Sequence, residues 1–192
     1  MHTRGYDTYS TYLQHQASKL GKEPVAVLSA NQAVKDQLAP RLALFPLPAT
    51  VLSVLCLGAR LGGEVEVFRT LGHFAVGIDI NPGPRNRYVV FGDFHKLDFP
   101  KESVDLVYTN AMDHCLFLDT VLDEVARVLM PEGIFILEAV GQSKAIPGGY
   151  SSMFWGNLQE FLPPLSRHFV VKQTYAWGTS TIPWQTFMCM KI

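Results

Sequence analysis

The chain has 192 residues, of which 48% are apolar and 17% charged, and its formal net charge is −1. This composition excludes a disordered chain and supplies a sizeable core, and the length fits one domain, residues 1–192. Scattered Lys and Arg lack the basic stripe of a nucleic-acid binder, and no apolar run reaches the ~18 residues of a membrane span, so neither nucleic acid nor a membrane is an expected partner.

Residues 1–48 read as an N-terminal helical cap, and their opening lacks the apolar run of a secretory signal. Tyr6, Tyr9, Leu13, Ala17 and Leu20 recur at helical spacing, which predicts an amphipathic helix with Gly21 as its stop. A second helix is expected between Ala30 and Phe45, interrupted at Pro40. Residues 49–192 then read as an α/β core. Residues 50–57 (TVLSVLCL) form a buried strand, a glycine-rich turn follows, and residues 64–71 form a helix that Gly72 ends. Residues 74–80 (FAVGIDI), 88–91 and 104–109 (VDLVYT) are the next three strands. A helix over 116–130 carries an apolar face of Leu118, Val121, Leu122, Val125 and Leu129. Pro131-Glu132-Gly133 is a tight connection to a fifth strand, 134–139 (IFILEA). Residues 141–149 read as a loop, 151–162 as a helix, and 169–177 with 183–191 as an antiparallel hairpin. Strands alternating with crossover helices imply a parallel sheet. Cys56, Cys115 and Cys189 show no disulfide or zinc spacing, so they read as buried, reduced thiols of a cytoplasmic protein without a metal site.

The chemistry begins at Gly58-Ala59-Arg60-Leu61-Gly62-Gly63, between the first strand and its helix. A glycine turn there lets a ligand approach the backbone without meeting a Cβ, beside the unpaired N–H groups of a helix N-terminus. About 20 residues on, Asp79 ends the second strand, where a carboxylate can accept from both ribose hydroxyls. The other reading of Asp79 is a solvated turn residue before Asn-Pro-Gly. The dehydrogenase fingerprint needs glycine at the third position, where Arg60 stands, so a nicotinamide oxidoreductase is the weaker reading.

From residue 51 to 139 the sequence resembles the class I S-adenosylmethionine-dependent methyltransferases. VLCLGARLGGEVEVF resembles that family's first motif and VGIDINPG its second. GDFHKLDFPKESVDLVYTN resembles its third strand, acidic adenine contact and fourth strand, and LDEVARVLMPEGIFILEA resembles the helix, turn and fifth strand that follow. The resemblance implies a Rossmann-like three-layer sandwich, a mostly parallel seven-stranded sheet ending in an antiparallel hairpin, with S-adenosyl-L-methionine as cofactor. It implies that Gly58, Ala59 and Gly62 border the methionine half, Asp79 holds the ribose and Ile80 packs on the adenine. Asp93 would accept from the adenine amino group with Phe94 beside the ring, and Asn110 would face the methionine moiety. That cofactor has a diol and an exocyclic amine but no phosphate, which suits carboxylates. Two positions depart from the family pattern. Cys56 stands where the family often has an acid, removing an acceptor from the donor's amino group. Arg60 stands where it usually has glycine, and its charge either pairs with the donor's carboxylate or sits solvated at the helix start.

His114 and Asp113 follow the fourth strand and are the candidate catalytic groups, since a near-neutral histidine can take a proton from an acceptor. The competing reading makes Asp113 the cap of the next helix and His114 a first-turn residue. His95 and Glu138 are lesser candidates. Methyl transfer can also proceed by alignment and water exclusion alone. Tyr150, Phe154, Trp155 and Trp184 are core residues or an aromatic cage. Asn110 is followed by Ala111-Met112-Asp113, so the family's Asn-Pro-Pro-aromatic signature for base or glutamine nitrogen is absent. With no basic face and no appended recognition domain, the expected partner is a small-molecule methyl acceptor. The alternative is a non-catalytic relative that binds the cofactor or a partner protein.

Overall fold

The computed structural model describes residues 1–141 and 149–192, so nearly all of the loop expected over 141–149 lies outside the described residues. In chain order the elements are β1 (His2–Thr3), α1 (Tyr9–Lys22), α2 (Pro24–Leu42), β2 (Ser53–Leu57), α3 (Gly63–Thr70), β3 (Phe74–Asp79), β4 (Val89–Phe91) and β5 (Val104–Thr109). A 3₁₀ turn (Met112–His114) precedes α4 (Leu118–Val128), β6 (Leu129–Val140) and β7 (Met153–Phe154). A second 3₁₀ turn (Leu158–Phe161) leads to α5 (Leu162–Leu165) and the hairpin β8 (Phe169–Gly178) and β9 (Pro183–Lys191).

The main sheet has seven strands in the order β4-β3-β2-β5-β6-β9-β8. β4 to β6 run parallel and β9 and β8 antiparallel, the expected α/β arrangement. Side-chain alternation divides the core into two layers. Leu55, Leu57, Val107, Phe135 and Leu137 face α4, Trp155, Phe161 and Leu165. Val54, Cys56, Leu106, Tyr108 and Ile136 face Leu38 and Leu42 of α2 and Val65 and Phe68 of α3. All three cysteines are buried.

Several expected boundaries move, for physical reasons. Val51 is 73% exposed and β2 starts only at Ser53. α1 passes through Gly21, and α2 begins at Pro24, whose missing N–H is no loss in a first turn. α2 also continues through Pro40, because Leu38, Arg41 and Leu42 are buried on the sheet and Ala43 N–H closes the last turn on the Ala39 carbonyl. Pro131-Glu132-Gly133 lies inside β6 as a bulge: Leu129 pairs with Val104, yet the next partners are Ile134 and Leu106. The helix expected over 151–162 is replaced by β7 and a 3₁₀ turn. Met153 pairs with Thr3 and Phe154 with His2, so a strand partner from the far N-terminus overrides the local helical spacing.

One buried cluster fastens α2 to the sheet. Arg41 Nε and Nη2 donate to the two oxygens of Glu138, each at 2.8 Å. Tyr108 Oη and Thr186 Oγ1 donate to the same carboxylate at 2.7 and 3.0 Å, and the Trp177 ring lies 3.9 Å from the Arg41 guanidinium. Glu138 is therefore structural and stands away from the proton-transfer chemistry considered for it.

Candidate active site

The strand order reverses at β2, between β3 and β5, and the crevice at the carboxyl ends of the strands opens there. Gly58 follows β2, Asp79 ends β3, Asp93 follows β4 and Asn110 follows β5, so the register brings four chain-distant residues to one edge. Gly58 has φ 69°, and a Cβ on it would lie 2.7 Å from the Ala111 Cβ, so the turn needs glycine both for conformation and for space. Gly62 caps α3 with φ 86°. Arg60 adopts φ 39° between them, a left-handed conformation that costs a residue with a Cβ about 1–2 kcal/mol.

Two hollows meet at this edge. A cavity of about 410 Å³ is lined by Gly58, Ala59, Arg60, Glu64, Asn110 and Trp184, with Ala26, Val27, Ala30 and Val34 of α2 as its apolar wall. A smaller hollow of about 30 Å³ is lined by Tyr12, Gln16, Asp79, Ile80, Asp93 and Phe94. Gly58, Arg60, Ala111 and His114 wall both. Gly62 is buried behind the turn, beside Val89.

Arg60 is not solvated. Its side chain is 14% exposed, Nε lies 3.5 Å from Asp79 Oδ2, and the buried Nη1 has no partner among the described residues. Asp79 is likewise buried, at 4% exposure, with Oδ1 accepting from Asn81 N–H at 2.7 Å. It is thus both a turn residue and a buried carboxylate. Asp93 accepts from Tyr9 Oη at 2.5 Å and from the backbone N–H of His95 at 2.9 Å. His95 Nε2 accepts from the backbone N–H of Leu116 and Phe117, which places its proton on Nδ1, toward Asp93. Burial opposes the Asp93 charge, but the bonds from His95 and Tyr9 outweigh it and hold the carboxyl below its ordinary range. His95 thus serves as a positioning group for Asp93 and the 116–117 backbone.

His114 borders both hollows. Its Nδ1 lies 3.1 Å from the Tyr150 carbonyl, a contact that requires the proton on Nδ1. Nε2 therefore keeps its lone pair toward the cavity and accepts from Lys19 Nζ at 3.1 Å. Burial, with Lys19 and Arg60 nearby, outweighs Asp113 and holds the imidazole below its ordinary range. Asp113 accepts from Ser151 Oγ at 2.8 Å and does not cap α4, whose first residue follows Phe117 with no side-chain cap.

The sequence reading missed the inward face of α1. Tyr9, Tyr12, Gln16 and Lys19 lie three, four and three residues apart and all point to the crevice. Tyr12 Oη donates to the His114 carbonyl, and Gln16 Nε2 donates to the Tyr150 carbonyl and Ser152 Oγ. Tyr9 already stood on the predicted helical face, but Tyr12, Gln16 and Lys19 were passed over because apolar periodicity does not select polar side chains. Asn31 of α2, whose Oδ1 accepts from Gly63 N–H at 2.7 Å, and the buried Glu64 were missed for the same reason. Of the four aromatic residues considered as a cage, Tyr150, Phe154 and Trp155 are buried and only Trp184 lines the larger cavity.

Residues 55–137 match the family model described as methyltransferase domain. A sterol 24-C-methyltransferase of Gibberella zeae is 33% identical over 100 residues, covering 44% of this chain and 26% of that protein, so the match spans about a quarter of the relative's length. Among solved structures, the 1,6-didemethyltoxoflavin-N1-methyltransferase of Burkholderia thailandensis, with bound 1,6-didemethyltoxoflavin and S-adenosylhomocysteine, superposes with a TM-score of 0.74. It is 16% identical, over 98% of this chain and 92% of that one. The PH0226 protein of Pyrococcus horikoshii OT3 superposes with a TM-score of 0.67 at 20% identity, over 83% and 90% of the two chains.

Proposed function

We propose that this chain, whose residues 55–137 match a methyltransferase domain and whose fold is shared with S-adenosylmethionine-dependent methyltransferases, is a class I, Rossmann-like member of that family and transfers a methyl group from S-adenosyl-L-methionine to a small-molecule acceptor. The observation that carries the reading is the convergence of Gly58, Asp79, Asp93 and Asn110 on one crevice at the strand-order reversal. The residues present suit this cofactor chemically. Asp79 and Asp93 are carboxylate acceptors for a diol and an exocyclic amine, and the orphaned Nη1 of Arg60 is a buried donor in want of an anion.

In this reading Asp79 takes the ribose hydroxyls, with Ile80 and Phe94 against the adenine and Asp93 on its amino group. Gly58, Ala59 and Asn110 border the methionine half, Gly62 shapes the turn from behind, and Arg60 meets the donor's carboxylate. When bound, the cofactor supplies a methyl carbon already activated by a sulfonium. The Ala26, Val27, Ala30, Val34 and Trp184 wall holds the apolar body of the acceptor and keeps water out. His114, fixed in its tautomer by Tyr150, would take the acceptor's proton at Nε2 as the acceptor's lone pair bonds to the methyl carbon and the carbon–sulfur bonding pair is left on sulfur. Asp113 steadies the imidazolium that forms, while Lys19, whose charge opposes it, gives up Nε2 to the acceptor. The larger cavity, bounded by α1, α2 and Trp184, suits a small acceptor better than a macromolecule.

Thermal-shift titration with S-adenosylhomocysteine tests the cofactor, because a ligand of the native state stabilises with the logarithm of its concentration over Kd. A rise in Tm with S-adenosylhomocysteine and none with NAD is expected. No response at millimolar concentration removes the reading. Incubation of a metabolite extract with methyl-labelled cofactor then tests turnover. Label in a small-molecule fraction supports the proposal, and binding without any transfer supports the non-catalytic alternative.

A further inference from the structure

Glu64 is a buried acid that the methyl-transfer reading does not use. It stands in the first turn of α3, is 4% exposed, and lines the larger cavity together with Gly58, Ala59, Arg60 and Asn110. Its carboxyl bonds to its own backbone N–H, and among the described residues no cation pairs with it. The groups packed around it do not help. Asp79 of β3 and Glu138 of β6 act on it as like charges, and Cys56 of β2 offers only a buried thiol. On the α2 side Asn31 is neutral and is engaged with Gly63 N–H. Of the cations lining the same cavity, Lys19 is held on His114 and Arg60 leans on Asp79. Burial, reinforced by these acids, pushes the Glu64 carboxyl up to about 8.

A buried carboxyl facing a cavity without a counter-ion is a strong attractor for a cationic group that brings no water with it. Arg60, whose buried Nη1 has no partner among the described residues, lines the same cavity. A buried acid and a buried guanidinium nitrogen on one cavity match the two ends of an α-amino acid. Resting on the cofactor assignment above, we propose that Glu64 is the seat of the donor's α-ammonium, so that the first turn of α3 supplies the acceptor that Cys56 of β2 does not.

The test uses calorimetry at pH 7 with two ligands, S-adenosylhomocysteine and its analogue lacking the α-amino group, in two buffers of different ionisation enthalpy. Wild-type protein is expected to bind S-adenosylhomocysteine about tenfold tighter than the analogue, or more. It is also expected to release close to one proton per S-adenosylhomocysteine bound, because an ammonium beside Glu64 draws its carboxyl back below neutrality. Glu64→Gln should bind the two ligands within about twofold of each other and release no proton. Equal affinity of the wild type for both ligands overturns the proposal, and so does discrimination that survives in Glu64→Gln. If the wild type binds neither ligand, the cofactor assignment itself fails, and this inference with it. The wild-type comparison needs no variant and stands even if Glu64→Gln does not fold.

Discussion

Glu138 and Glu64 are both buried carboxyls of one α/β core, 1% and 4% exposed, and their surroundings are opposite. Glu138 receives four hydrogen-bond donors, two of them from the Arg41 guanidinium, and closes the packing of α2 on β5, β6 and β9. Glu64, on the same side of the sheet, has no cation beside it and opens onto a cavity. A buried acid whose acceptors are filled from within the chain holds the fold together. One whose counter-ion is missing costs stability, and its persistence is best explained by something that arrives from outside.

The harshest way to break this comparison is to strip the partner from the satisfied acid. Arg41→Ala leaves the Glu138 charge buried beside two hydroxyls, and is expected to cost about 3–5 kcal/mol in urea unfolding. A loss below about 1 kcal/mol would show that the cluster is not structural.

Next in size is the ribose contact. Asp79→Ala removes a charged acceptor and is expected to weaken S-adenosylhomocysteine by roughly 10- to 100-fold in calorimetry. Unchanged affinity would mean that the ribose lies elsewhere.

The comparison is sharpened by giving Glu64 a neutral isostere. Its carboxyl titrates near 4.5 in an unfolded chain and at about 8 in the fold. The folded state therefore binds more protons across that window, and wild-type stability falls as pH rises from one value to the other. Glu64→Gln removes this slope, so unfolding curves should place the variant above wild type by roughly 1–3 kcal/mol at pH 8 and level with it or below near pH 4. Parallel stability profiles would show that Glu64 is not an unpaired acid.

The smallest effect is expected at Lys19. Lys19→Met removes one of the neighbours that hold the His114 imidazole down, so the acid limb of the methyl-transfer rate should move up by roughly half a pH unit. An unmoved limb would take His114 out of the proton transfer.

The parallel sheet, its closing hairpin and the Gly58 turn were legible because each rests on local chemistry: β-branched runs, glycine at left-handed φ, and crossover spacing. Asp79 was legible by its distance from that turn, and Asp93 through the resemblance of residues 92–110 to the family's third and fourth strands. The rest of the inward face of α1 was not, because apolar periodicity selects for burial against carbon, and Gln16 and Lys19 are held there by hydrogen-bond partners. The expected helix over 151–162 failed because its strand partners, His2 and Thr3, lie at the other end of the chain.

The sequence by itself determined the fold class, the place of the glycine turn, and the order in which the strand-end carboxylates appear. Only the tertiary structure decided which acids are satisfied. Arg41 and Glu138 are 97 positions apart, and Lys19 and His114 are 95, so no local pattern pairs them. Cys56, which reads in the sequence as the loss of an acceptor, lies within electrostatic reach of Glu64 on the next element. Whether a charge is answered depends on what the folded chain brings within a few ångströms, and burial makes that answer decisive by removing the water that would otherwise supply it.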